Sequence, residues 1–286
     1  MFIRNLYRKI FTYRIRKIRS DIFYWGKMVP RYILYIFSME LLRRVIVKNK
    51  LASIQIGAGA GYLDPILKRG DGFHSLLSNV YKSFSSPIYL YEPNELNIEN
   101  LKKSWELFKP HYKVFQEGLS IDGEESIDFY MHPSDGPNFQ VCSIDPSHVL
   151  KHFTNSKIED LITFKTKCRS INTIINRIEN KKFHNFFIAI DAEGIDYKAV
   201  KTLLKSTLIT NCFAFSFESK HLTRIQYLEI EKLAINKEFT KAGLGVDPYF
   251  CDTLFVRKKY FYQNLNSFCI KILDKIDYLW REIIII

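Results

Sequence analysis

Four short stretches carry side chains whose types and spacing suit chemistry. The segment F-I-A-I-D-A-E-G-I-D-Y, residues 187–197, is an apolar run that ends in Asp191, Glu193 and Asp196, with Gly194 among them. Carboxylates at a strand mouth can act as a general base or hold a metal, and acidic residues also suit the first turn of a helix. Capping accounts for Asp196, whereas Asp191 and Glu193 fall where a transferred group would lie. A second run, F-S-F-E-S-K-H-L, residues 215–222, delivers Glu218 and then His221. Histidine titrates near neutral pH and can take a proton from a hydroxyl; a solvated surface histidine is the alternative.

The other two stretches suit a nucleotide-like cofactor. In S-I-Q-I-G-A-G-A-G-Y, residues 53–62, an apolar strand passes through Gln55 into Gly57, Gly59 and Gly61. Glycines at the carboxyl end of a first strand permit a sharp turn and a close approach of ligand to backbone. The spacing G-x-G-x-G is not the G-x-G-x-x-G of a dinucleotide fingerprint, so a plain strand-to-helix turn stays open. The next apolar run, I-Y-L-Y, ends in Glu92-Pro93-Asn94. An acid at the tip of the second strand is placed to accept both ribose hydroxyls of an adenosine cofactor.

Positioning these residues takes alternating strands and helices. Apolar runs predict strands at 52–56, 88–91, 113–116, 186–190, 212–217 and 253–256, and helical periodicity predicts helices at 96–107, 171–179, 196–204 and 225–235. That alternation is the mark of βα units around a largely parallel sheet. Residues 126–131, after an Asp122-Gly123 turn, read as an extra antiparallel strand. Ahead of this lies a basic, aromatic appendage over 1–50, with an amphipathic helical pattern in 2–18, a turn around Gly26 and Pro30, and a second helical pattern bearing Ile33, Ile36, Phe37, Leu41 and Val45. The catalytic domain is read as 51–260, with a helical extension over 261–286. The stretch 68–87 reads as an inserted lid or partner surface.

Charge separates the appendage from the body. The chain of 286 residues carries 42 Lys and Arg against 30 Asp and Glu. Of these, 13 basic residues and only Asp21 and Glu40 fall in the first 50 positions, so the remainder is nearly neutral. Nucleic acid is therefore not expected on the catalytic body, while 1–50 suits an anionic membrane surface. Five widely spaced cysteines without a C-x-x-C pair argue against a disulfide framework or a zinc site of cysteines, and fit a cytoplasmic setting peripheral to the membrane. The apolar run 32–42 is too short to span a bilayer.

The order I-Q-I-G-A-G-A-G, Y-L-Y-E-P-N, I-A-I-D-A-E-G-I-D-Y, F-S-F-E-S-K-H-L and D-T-L-F-V-R resembles the FkbM-type methyltransferases over roughly residues 51–257. The D-x-E-G element is its most specific part, and Asp64-Pro65 and the E-x-K-H-L at 218–222 are similar to one branch. Gln55 and Gly59 depart from the family's Asp and Asn. The resemblance implies a Rossmann-like α/β methyltransferase fold, a seven-stranded, mostly parallel sheet with helices on both faces, and methyl transfer from S-adenosylmethionine to a hydroxyl on a glycan, lipid-linked saccharide or small metabolite. It places Gln55, Gly57, Gly59, Gly61 and Asp64 at the methionine end, Glu92 at the ribose, and Leu119 and Ser120 beside the adenine. Asp191, Glu193, Glu218 and His221 line the acceptor side, with His221 or a carboxylate as base and a divalent metal as an option. Two rivals remain: a nicotinamide-dependent oxidoreductase, and a degenerate binding protein.

Overall fold

A computed structural model of the chain describes residues 22–61, 72–78, 85–135, 141–178, 185–246 and 252–264. The amphipathic pattern of 2–18, most of the residues that motivate a membrane surface, Asp64 and most of the 261–286 extension lie outside these.

Helix α1 (Ile22–Asn49) runs straight through Gly26 and Pro30, where a turn is expected. Pro30 has no N–H to donate, a local cost to the helix. Packing of the second half outweighs it: Ser38, Met39, Leu41, Leu42, Val45 and Ile46 are all buried. Leu42 and Ile46 are fully enclosed, each contributing about 1.5–3 kcal/mol. This half of the helix is thus part of the domain's core. Lys50, at φ 50°, turns the chain out of α1 into β1 (Ala52–Ile56).

There follow α2 (Gly72–Ser78), β2 (Ile88–Tyr91), α3 (Glu95–Ser104), β3 (Tyr112–Phe115) and β4 (Gly118–Ser120). Next come β5 (Ser126–Met131), β6 (Cys142–Ser143), α4 (Pro146–Leu150), β7 (Ile162–Ser170) and α5 (Ile171–Asn176). The last part holds β8 (Phe186–Ile190), α6 (Asp196–Lys205), β9 (Cys212–Glu218), α7 (Arg224–Asn236), β10 (Phe239–Gly243), β11 (Asp252–Arg257) and α8 (Lys258–Asn264).

The main sheet has seven strands in the order β10-β11-β9-β8-β1-β2-β3. Strands β3, β2, β1, β8 and β9 are parallel, and β11 runs antiparallel to both neighbours. This is the Rossmann-like methyltransferase fold. Central strands β1 and β8 are buried at every position, as continuous apolar runs covered on both faces require. One face packs α1, α2 and Trp105 against Phe187 and Ala214; the other packs α5, α6 and α7 against Ile188, Phe215 and Phe255.

Within the stretch read as a lid, α2 is instead a core element. Phe73 stacks on Phe187 with ring centroids 5.7 Å apart, and Leu76 and Leu77 are fully buried. A second sheet of four strands, β4-β7-β5-β6, stands beside the first, with β5 antiparallel to both neighbours.

Candidate active site

The chain leaves β1 toward β2 on one side and β8 on the other, so the strand order reverses between β1 and β8. In open α/β sheets the crevice outside the carboxyl ends at such a point receives ligands. Gly57 follows β1 there and Asp191 follows β8, and the Asp191 N–H donates to the Ile56 carbonyl at 2.9 Å. A Cβ on Gly57 would lie 1.7 Å from the Asp191 carbonyl oxygen, and its φ is 76°. Only glycine lets the two strand ends meet here.

Gly59 differs: at φ 54° its missing side chain would point into open space, with none of the described residues within 4 Å. Gly61 is pressed onto Ser104 and Leu101 of α3, so its part is packing. Gln55 is buried inside β1 between Leu90 and Ala189, two residues short of the crevice.

Glu92 is buried and already engaged. Its Oε2 accepts from the Gly59 N–H at 2.7 Å, and its Oε1 accepts from the Asn94 N–H at 3.0 Å and Asn97 Nδ2 at 3.2 Å. An ionised carboxylate has about four acceptor positions, so one is left, on Oε2. The role expected for it, accepting two ribose hydroxyls, is narrowed to one, and its larger task is to brace the glycine loop. Burial pushes its carboxyl up even against those hydrogen bonds. Asn97, one turn into α3, was not foreseen; the signal was its place five residues after Glu92.

Leu119 and Ser120 lie in β4, both buried. Leu119 joins the core, and the Ser120 hydroxyl donates to Glu124 and accepts from the Gly123 N–H. Their side chains are committed to packing and to a turn.

Across the crevice, Asp191, Glu193 and Glu218 bring carboxylate oxygens within 4.8 Å of one another. Among the described residues, no Lys or Arg forms an ion pair with any of them. Burial on its inner side and the charges of Glu193, Asp196, Glu218 and Asp252 push the Asp191 carboxyl well above its usual range, although its outer face stays open. Burial, then Glu193 and Asp196, push Glu218 up to about 8, and its Oε2 is enclosed without a hydrogen-bond partner. Asp196 does not cap α6 as expected: Ile195 is the N-cap and Asp196 the first helical residue, its carboxylate reaching back to accept from the Ala192 N–H at 3.0 Å in the preceding loop, and burial pushes it up to about 7.

Glu193 has a left-handed φ of 26°, a strain of order 1–3 kcal/mol. Two contacts hold it: Ser143 Oγ donates to its carbonyl at 2.5 Å, and His148 Nε2 lies 2.9 Å from its Oε2. Gly194 gives His148 room, since a Cβ there would sit 2.8 Å from the ring. His221 Nε2 is 3.5 Å from Glu218 Oε1. Its ring also meets those of His148 and His152 at 5.1 and 5.9 Å. Burial and neighbouring His148 and Lys220 hold the His221 imidazole below its ordinary value, hence neutral at pH 7. Sequence reasoning missed both His148 and His152; their i, i+4 spacing was the available signal.

The raised carboxyls set a pH dependence. A group with a higher pKa folded than unfolded stabilises the fold at low pH and loses that stabilisation as pH rises through the folded value. With Asp196 near 7 and Glu218 near 8, the thermal midpoint in chelator is expected to fall as pH climbs from 5 to 8.5. Glu218→Gln should flatten the upper part of that decline. Calorimetric melting across the range checks this, and a midpoint that rises with pH contradicts it.

No family model matches the chain, and no curated protein does. Among solved structures, the chain is similar to a human methyltransferase 10 domain containing protein at 11% identity and a TM-score of 0.38, covering 80% of this chain and 83% of that one. The N-terminal domain of human METTL16 in complex with SAH is similar at 10% identity and a TM-score of 0.37, covering 75% and 66%. A Methanococcus jannaschii fibrillarin pre-rRNA processing protein is similar at 7% identity and a TM-score of 0.35, covering 73% and 66%. Likeness at this level lends nothing to residue roles, which rest on the geometry above.

Proposed function

We propose that the chain is an S-adenosylmethionine-dependent methyltransferase of the FkbM type, acting on a hydroxyl of a glycan, lipid-linked saccharide or small metabolite. The observation that carries this reading is the meeting of Gly57 with the Asp191 backbone at the switch point, beside an open Gly59 braced by Glu92. These residues suit the cofactor: Gly59 leaves room over the loop, and Glu92 keeps one acceptor position on Oε2. When bound, S-adenosylmethionine supplies a methyl group activated on sulfonium. The chain's own work is alignment and removal of the acceptor proton.

Asp191 is the residue assigned to that proton. It adjoins the glycine loop through its backbone, it is exposed at the carboxyl end of β8, and its raised pKa makes it a stronger base. Glu218 and Glu193 form the wall behind it and supply the like charge that keeps it basic. His221, engaged with Glu218 and two other imidazoles, is not assigned the proton.

Glu92→Ala tests the cofactor side. Removing a buried charged acceptor should weaken S-adenosylhomocysteine binding by on the order of 1.5–3 kcal/mol, read by calorimetry. Unchanged affinity in a variant that melts like the parent would take Glu92 out of the site.

A further inference from the structure

Three histidines meet at the crevice mouth from two places far apart in the sequence. His148 belongs to α4, His152 follows it by one turn, and His221 lies in the connection from β9 to α7. Ring centroids stand 5.3 Å apart for His148 and His152, 5.1 Å for His148 and His221, and 5.9 Å for His152 and His221. One ring nitrogen of each lies within 4.8 Å of the others. Edge-on packing of rings would explain the centroid distances. It would not require the nitrogens to converge, nor leave two of the three rings at an exposed surface.

Glu193 backs one of them. Its Oε2 stands 2.9 Å from His148 Nε2, the distance of a hydrogen bond, and a carboxylate so placed orients a metal-binding imidazole from outside. Behind these donors stand Asp191 and Glu218, with no Lys or Arg paired to them among the described residues. A cation at the imidazoles would offset part of that negative charge, leaving burial, Asp196 and Glu218 to keep Asp191 basic.

We propose that His148, His152 and His221 hold one divalent transition-metal ion of the zinc class, three protein ligands that leave a fourth position open. Imidazole donors select such ions over magnesium or calcium, which favour all-oxygen sites. The ion ties together the segments after β6 and β9, and so fixes the wall that faces the acceptor. This inference does not need the methyl-transfer reading to hold, because metal uptake is measured apart from cofactor binding.

The test uses the full chain stripped with chelator and titrated with cobalt(II). The expected result is one ion per chain, with the visible absorption of a low-coordinate cobalt site that zinc(II) displaces and magnesium(II) does not. Zinc should also raise the thermal midpoint. His152→Ala and His221→Ala should each weaken uptake by about 10–100-fold or more, and Glu193→Gln by a similar factor, while His111→Ala, at the opposite end of the sheet before β3, should not alter it. His152 and His221 are exposed, so the metal-free variants should melt like the parent. Absence of cobalt uptake at micromolar protein, or uptake unchanged in the His152→Ala/His221→Ala double variant, overturns the proposal. S-adenosylhomocysteine binding by the same stripped sample reports separately on the cofactor reading.

Discussion

Asp191→Asn is expected to lower methyl transfer about 10²–10⁴-fold, the range for losing a positioned general base, while S-adenosylhomocysteine affinity stays near the parent's. The amide keeps the size of the side chain and removes its capacity to take a proton. Folding should survive, because the residue is exposed and, among the described residues, no hydrogen bond or ion pair holds its carboxylate. Indeed, one of several repelling charges disappears, so at pH 8 the variant should melt no lower than the parent. The measurement is release of S-adenosylhomocysteine with a saturating hydroxyl acceptor. A variant that turns over at the parental rate removes Asp191 from the mechanism. A variant that unfolds, with full specific activity in what remains folded, assigns it a structural role instead.

Gly57→Ala is the second large effect. Its Cβ would penetrate the Asp191 carbonyl, at 1.7 Å, and its φ of 76° strains any other residue. Strands β1 and β8 are hydrogen-bonded neighbours at the centre of the sheet, so neither can move aside without breaking its ladder. The backbone conformation alone costs about 1–3 kcal/mol, and the overlap adds to it, so a fall of about 5 °C or more in the melting midpoint is expected. Gly59→Ala makes the informative contrast. Its Cβ meets nothing among the described residues, so only its left-handed φ of 54° weighs on stability, about 1–2 kcal/mol; melting should fall less than for Gly57→Ala while cofactor affinity drops, since the methyl projects over the loop. If the two alanines behave alike in both melting and binding, the assignment of one glycine to packing and the other to ligand is wrong.

Much of the main sheet was readable because its strands are uninterrupted apolar runs, and β1, β2 and β8 fall at the expected residues. Strand β10, F-T-K-A-G, carries no such run; it is specified by pairing with β11 and not by its own pattern. Likewise β7, I-T-F-K-T-K-C-R-S, is largely polar, with only Thr166 and Cys168 buried, and it forms through its ladder with β5. Helix α1 passes Pro30 because its far half is buried, a tertiary effect that local residue preference does not contain. At the site, Asp191, Glu193 and Glu218 were legible as strand-end acids, and they do converge. His148 was not: it reaches Glu193 from a short helix 45 positions away, a proximity set by the second sheet. Glu92 was legible as a strand-end acid too, but its three internal donors come from loop geometry that no spacing rule supplies.

The central claim is a cofactor site for S-adenosylmethionine in the crevice between β1 and β8. Its most direct test is a calorimetric titration of the intact chain with S-adenosylhomocysteine, run beside an identical titration with a nicotinamide dinucleotide. The geometry predicts saturable binding of S-adenosylhomocysteine at one site per chain and no binding of the dinucleotide. Binding of the dinucleotide alone, or of neither, contradicts it.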